Sequence, residues 1–237
     1  MSKVAILSYH KIGAPPAPPK GWESWYYVSG EGFERDLNWL SERGYRFISR
    51  DDLFAAIEKG GALPEKAALI TFDDGYRNNA TVAMPIMRRL GVPGVVFVPT
   101  GYIGGINSWD TGHEPEEGIC TWEDLHELEE NGLAVESHSV SHPAFSDLTD
   151  EQHELQLRES KELLEDHLGR AVEFMAYPFG DAGKDAAKSA ELLQRVGYRA
   201  ACLYGGGGVQ IPGANRWRLE RLAMGPDSKL GEMLGEP

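Results

Sequence analysis

Leu69-Ile70-Thr71-Phe72-Asp73-Asp74-Gly75 is the stretch on which the rest of the chain depends. A largely apolar run delivers two adjacent carboxylates to its carboxyl end, and a glycine follows at once. That pattern predicts a buried strand running into a turn. Side chains on an extended strand point alternately to its two faces. Where the strand ends the backbone bends, so both acids can reach one pocket from different angles. One can then hold a metal while the other takes a proton. A single Asp before a helix is more often a cap for free N–H groups. Two in a row at the end of an apolar run set the cap and the catalyst on equal terms.

The same grammar repeats outward from that strand. Apolar runs at 4–7, 46–49, 67–72, 94–100, 134–137, 173–177 and 198–203 read as strands. Between them the spacing turns helical, as where Phe33, Leu37 and Leu40 share one face. Gly44, Gly60, Gly91, Gly132, Gly169 and Gly197 close the predicted helices, in the position that favours a left-handed cap. Ser49-Arg50-Asp51-Asp52, Thr121-Trp122-Glu123-Asp124 and Thr149-Asp150-Glu151-Gln152 have the form of capping boxes and mark helix starts. Trp217-Arg218-Leu219-Glu220-Arg221-Leu222 alternates like a final strand with one polar face. Strands alternating with helices predict a parallel sheet with helices outside. Roughly seven or eight such units in one domain, residues 1–237, favour a closed or nearly closed α/β barrel. An open doubly wound sheet is the alternative. Either puts the active site at the carboxyl ends of the strands.

Composition narrows the partners. The chain has 237 residues and 41% hydrophobic content, enough for a substantial core. Its 37 acids against 23 bases give a formal charge of −14, with no basic stripe. Nucleic acid and anionic membrane are therefore excluded as expected partners, whereas a neutral or cationic substrate is compatible. Cys120 and Cys202 are far apart and form no CxxC, so they read as free thiols in a reducing compartment. The opening Met1-Ser2-Lys3-Val4-Ala5-Ile6-Leu7-Ser8-Tyr9-His10 has too short an apolar run for a signal peptide, and no segment reaches membrane-span length. The expected location is cytoplasmic, any leader ahead of the chain aside.

Further polar residues fall at predicted strand ends. His138 follows the run 134–137, and His142 lies four residues on. In a helical turn that step would put both imidazoles on one side, within reach of one ion. Chance pairing of two surface histidines is the blander reading. Two His and one carboxylate leave open positions on a metal, as catalytic zinc sites do, and the same set suits Fe(II). Ala176-Tyr177-Pro178-Phe179-Gly180 reads as a tight turn that could add an aromatic wall and an exposed Phe179 N–H. Pro15, Pro16, Pro18 and Pro19, with Trp22, Trp25, Tyr26 and Tyr27, form either a hydrophobic plug or a sugar-facing rim. Gly205-Gly206-Gly207-Gly208 precedes no convincing helix and is no phosphate loop. His113, His126, His153 and His167 are expected to face solvent.

Thr71-Phe72-Asp73-Asp74-Gly75, His138-Ser139-Val140-Ser141-His142 and Tyr177-Pro178-Phe179-Gly180, in that order, resemble the polysaccharide deacetylase family. This is the NodB-homology group, carbohydrate esterase family four. Leu7-Ser8-Tyr9-His10, residues 33–49 and Pro99-Thr100-Gly101-Tyr102-Ile103-Gly104-Gly105 are similar to its poly-β-1,6-N-acetylglucosamine deacetylase branch. The resemblance implies a distorted (β/α)7 barrel, one divalent metal, usually zinc, and hydrolysis of an N-acetylated carbohydrate to free amine and acetate. By position it implies Asp74, His138 and His142 as metal ligands and Asp73 as general base. It gives the Phe179 N–H to the oxyanion and places Tyr177, Pro178, Trp109 and Asp110 along the substrate groove, with core packing an equal reading for Trp109. Two departures stand out. Many members carry an Arg that steadies the base where this chain has Ala176, and many have a late Leu-x-His as general acid. Here no His follows His167, and His10 matches the histidine that takes this task in the related branch.

Other readings differ in chemistry. One is a metal-dependent hydrolase of a non-sugar linear or cyclic amide. Another is a non-catalytic sugar-binding barrel, against which Asp73 argues, since metal binding alone needs no second acid. A third is an Fe(II) oxygenase, whose usual β-sandwich conflicts with the helix-rich alternation.

Overall fold

The computed structural model describes residues 2–15 and 24–236. Pro16, Pro18, Pro19 and Trp22 of the Pro-rich stretch lie outside the described residues. In chain order the strands are β1 (Ser2–Tyr9), β2 (Lys11–Ile12), β3 (Tyr27–Val28), β4 (Arg46–Phe47), β5 (Lys66–Phe72) and β6 (Gly94–Val98). They continue with β7 (Leu133–Ser137), β8 (Phe174–Ala176), β9 (Ala200–Cys202), β10 (Val209–Ile211) and β11 (Leu222–Ala223). The α-helices are α1 (Gly30–Glu42), α2 (Arg50–Lys59), α3 (Met84–Leu90), α4 (Trp122–Glu130), α5 (Asp150–Leu168), α6 (Ala186–Val196) and α7 (Leu230–Leu234). All three capping boxes form, at Ser49, Thr121 and Thr149. Gly60, Gly91, Gly169 and Gly197 are left-handed helix caps, while Gly44 and Gly132 sit one residue past theirs.

The main sheet runs β10-β1-β5-β6-β7-β8-β9, with β4 paired to β5 and β11 to β1. All its pairings are parallel except β1 with β10. This is the distorted α/β barrel expected, with the helices outside. The segment after residue 215 brings its two ends together. Leu219 bridges to Cys202 of β9, and three residues later Leu222 and Ala223 pair with Leu7 and Ser8 of β1. A regular strand over 217–222 does not form, because the segment changes neighbours halfway and only Leu222–Ala223 meets a second strand in register. The antiparallel β10, absent from the sequence reading, covers the start of β1.

Strand alternation divides the core in two. Val4, Ile6, Leu69, Val95, Phe97 and Phe174 point inward, and α2 packs Leu53 and Phe54 against them as a plug at the amino-terminal end. Leu7, Tyr9, Ile70, Phe72, Val96 and Val135 point outward beneath the helices. One charged side chain sits in the floor of the barrel: Glu136 is fully buried and paired with Arg50 and Arg170. It also accepts from the N–H groups of Glu173 and Phe174 at 2.8 and 2.7 Å, as a buried carboxylate must be compensated.

His153 departs from its expected exposure. It lies with Leu157, Ser160 and Leu164 on the inward face of α5, 5% exposed. Its ring meets Phe145 edge-on at 4.3 Å, and Nε2 has no hydrogen-bond partner. Burial lowers its pKa from 6.5 to about 4, with Asp150 and Asp181 opposing. The folded protein thus keeps His153 neutral where the unfolded chain binds a proton. Its contribution to stability is complete above pH 6.5 and drains away as pH falls toward 4. In His153→Gln, the drop in unfolding free energy from pH 7 to pH 4.5 should shrink by on the order of 1 kcal/mol, measured by urea denaturation. An unchanged drop would rule out this linkage.

Candidate active site

The register of the central strands assembles the site. β1 and β5 run side by side from Lys3 and Lys66 to Tyr9 and Phe72. His10 and Asp73 therefore leave the sheet together, and the Asp73 N–H donates to the Tyr9 carbonyl at 2.9 Å. β6 and β7 end level, Val98 beside Ser137, with the His138 N–H donating to the Val98 carbonyl at 3.0 Å. At this end a cavity of about 60 Å³ is lined by His10, Asp73, Asp74, His138 and His142. Tyr26, Asp110, Phe179 and Tyr204 line it from the loops. The interior holds a few waters or an acetyl-sized group.

Asp74, His138 and His142 offer ligand atoms that all lie within 4.8 Å of one another. Oδ1 of Asp74 stands 3.3 Å from Nε2 of His138 and 3.1 Å from Nε2 of His142. That oxygen is buried and has no hydrogen-bond partner of adequate geometry. Nδ1 of His138 lies 2.7 Å from the Ala176 carbonyl, which can only accept, so the proton sits on Nδ1 and Nε2 keeps its lone pair. An orphaned carboxylate oxygen and two converging imidazole nitrogens fit a divalent cation. The two histidines meet without the helical turn that their spacing suggested. Ser139 and His142 instead take left-handed φ of 69° and 55°, and the Ser139 Oγ accepts from the His142 N–H at 3.1 Å.

Asp73 is not part of that trio. Both its oxygens are gripped by Arg221, Nη1 to Oδ1 at 2.7 Å and Nη2 to Oδ2 at 2.6 Å, and Ser8 donates to Oδ2 at 3.3 Å. Burial raises the Asp73 pKa, but Arg221, His138 and His10 outweigh it, so the carboxyl is held below its ordinary value. Arg221 is itself fully buried and donates further to Thr71 Oγ1 at 3.1 Å and the Leu203 carbonyl at 2.6 Å. Sequence reasoning missed this residue, although a signal was present. In 217–222 it falls on the same face as Trp217 and Leu219, and an arginine on an apolar face requires a buried acid.

His10 sits against Tyr26 and Tyr204, and burial lowers its pKa against the opposing charges of Asp74 and Asp73. Phe179 rises 61% exposed at the mouth, edge-on to His142 at 4.7 Å. Asp110 faces the cavity, its pKa raised by burial and by Asp74. Trp109 is placed behind the site, stacked on His142 at 4.9 Å and edge-on to Tyr102. Tyr177 points outward along β8 and packs against Phe145, and Pro178 is buried beside it. Neither Tyr177, Pro178 nor Trp109 is among the residues that line the cavity. Of the Pro-rich stretch, Tyr26 reaches the cavity, Tyr27 is buried and Trp25 is 44% exposed.

A family model described as polysaccharide deacetylase matches residues 60–201, more than half of the chain. The chain belongs to the polysaccharide deacetylase family. It is 27% identical over 198 residues to YxkH of Bacillus subtilis, named as a polysaccharide deacetylase, covering 84% of this chain and 63% of that protein. It is 23% identical to the poly-β-1,6-N-acetyl-D-glucosamine N-deacetylase of Staphylococcus epidermidis, covering 86% of this chain and 70% of that one. Among solved structures, the deacetylase PplD of Streptococcus pyogenes superposes with a TM-score of 0.84 over 99% of both chains at 21% identity. IcaB of Ammonifex degensii gives 0.78 at 24% identity over 96% of this chain and 94% of its own. These last two likenesses establish the fold.

The Arg221–Asp73 pair makes a direct test of the site's construction. Arg221→Met leaves a buried carboxylate without its cation and should lower the unfolding free energy by about 3–5 kcal/mol. Adding Asp73→Asn removes the stranded charge and should recover much of that loss, read by denaturant titration of both variants. Equal stability of the single variant and the parent would contradict the pairing.

Proposed function

We propose that this deacetylase hydrolyses the N-acetyl amide of an N-acetylated sugar to free amine and acetate, with one divalent metal, zinc by preference, held by Asp74, His138 and His142. The observation that carries the reading is the convergence of Asp74, His138 and His142, with the Asp74 Oδ1 lacking a hydrogen-bond partner, beside a separate, arginine-held carboxylate in one cavity. When bound, the ion supplies Lewis acidity, lowering the pKa of water and polarising the amide carbonyl. Asp73 takes the proton of the attacking water, and Arg221 keeps the carboxylate ionised and aimed. The Phe179 N–H is assigned to the developing oxyanion. His10 delivers a proton to the departing nitrogen, without which the amine is a poor leaving group. The substrate class also follows the names of the relatives, the net charge of −14 and the aromatic rim of Tyr26, Phe179 and Tyr204.

Acetate release from N-acetylglucosamine oligomers, set against cyclic and linear non-sugar amides and repeated across added metals, tests the reading. Turnover confined to the non-sugar amides would overturn it. His138→Ala and His142→Ala should lose bound metal by elemental analysis. Asp73→Asn should keep bound metal while turnover falls by roughly two to four orders of magnitude, with a loss of stability because Arg221 is left buried without its carboxylate. His10→Gln should keep metal and melting temperature but lose most turnover, and an unaltered rate would remove His10 from the mechanism.

A further inference from the structure

Tyr204 carries a group that the reaction above does not use. Its ring meets His10 edge-on, with centroids 5.2 Å apart at 88°. The residue is partly exposed, yet its phenolic oxygen is buried and has no hydrogen-bond partner. A buried hydroxyl without a partner is a net cost to the fold. Other unpartnered polar atoms around the cavity, on Asp74, His142 and His10, belong to ligands or to the acid. The Tyr204 oxygen is the one buried unpartnered hydroxyl among the cavity-lining side chains.

The backbone is built to keep it there. Gly180 has φ +68°, and a Cβ on it would stand 2.7 Å from the Tyr204 nitrogen. Glycine is therefore required where the turn after β8 meets the loop after β9. On the other side, Arg221 Nε donates to the Leu203 carbonyl at 2.6 Å and its backbone N–H to the Gly205 carbonyl at 3.2 Å. Both neighbours of Tyr204 are thus tied to the arginine that grips Asp73. The Gly207 N–H donates to the Glu220 carboxylate at 3.0 Å, so part of the four-glycine run is pinned as well. Burial raises the Tyr204 pKa, which leaves the phenol a neutral donor.

Position assigns the acceptor. This step rests on the function proposed above, in which His10 protonates the leaving nitrogen. The carbon bearing that nitrogen, and the oxygens on the carbons beside it, then lie on the His10 side of the scissile bond. The acetyl carbonyl lies on the side of Asp74, His138 and His142. We propose that Tyr204 is a specificity-determining residue for the leaving group, its hydroxyl donating to a sugar oxygen next to the scissile amide.

Tyr204→Phe removes only the donor and keeps the ring against His10. Metal-loaded wild type and variant are compared on an N-acetylglucosamine oligomer and on 4-nitrophenyl acetate, which shares the acetyl group and lacks the sugar. The expected result is a rise of about three- to tenfold in KM for the oligomer, with kcat within about twofold. The loss in kcat/KM on the ester should be at least about threefold smaller, with metal content and melting temperature unmoved. Equal losses on both substrates would place the hydroxyl on the acetyl side and overturn the inference. An active wild type matched by Tyr204→Phe on the oligomer would overturn it alone, leaving the ring as packing for His10. A wild type inert on the oligomer would overturn both this inference and the reading beneath it.

Discussion

A bidentate ion pair in the mouth of the barrel joins construction to chemistry. Asp73 is 2% exposed and Arg221 is 0% exposed, and each would be very costly alone in such surroundings. Together their charges cancel at 2.6 and 2.7 Å, and Thr71, Ser8 and the Leu203 carbonyl take up remaining donors and acceptors. Arg221 belongs to the segment that bridges β9 to β1, so the pair also ties the closing edge of the sheet to its central strand. The carboxylate that the proposed reaction needs is thus held by the same contact that closes the barrel.

Strain gathers at the same end. Among the described residues, those other than glycine with positive φ are Asp74 at 68°, Ser139 at 69°, His142 at 55° and Phe179 at 58°. Each costs on the order of 1 kcal/mol or more relative to a relaxed backbone. Asp74, His142 and Phe179 line the cavity, and Ser139 shapes the turn between His138 and His142. Unpartnered polar atoms collect there too, on Asp74, His142, His10 and Tyr204. A fold optimised for stability alone would relieve both, and the two coincide at this end of the barrel, although unpartnered atoms such as His153 Nε2 also occur away from it.

The site combines parts with different tolerances. The ligand trio is fixed by strand ends and by the bond from His138 Nδ1 to the Ala176 carbonyl. Asp73 is fixed by Arg221, a residue 148 positions later in the chain. The rim comes from loops, with Tyr26 before α1, Asp110 and Tyr204 after β9. The likeness to PplD and IcaB at 21% and 24% identity reflects the barrel common to them. Binding residues on a rigid scaffold are in general carried by its variable connections.

Local chemistry was legible in the sequence wherever a short stretch decides its own conformation. The three capping boxes, the glycine caps, the inward face of α1 and the strand bearing Asp73 and Asp74 each follow from residues within one or two turns of one another. The ordered motifs carrying Asp74, His138 and His142 were legible too, because their spacing and strand-end positions survive in one dimension. What brought them to one point was the register of β1, β5, β6 and β7, which is set by packing across the sheet. Tertiary structure alone decided that Arg221 reaches Asp73, that His153 faces inward, that Trp109 backs His142, and that Tyr204 hangs beside His10. The physical reason is common to all four. A side chain's partner across the barrel depends on where the sheet closes, and closure is a property of all the strands at once.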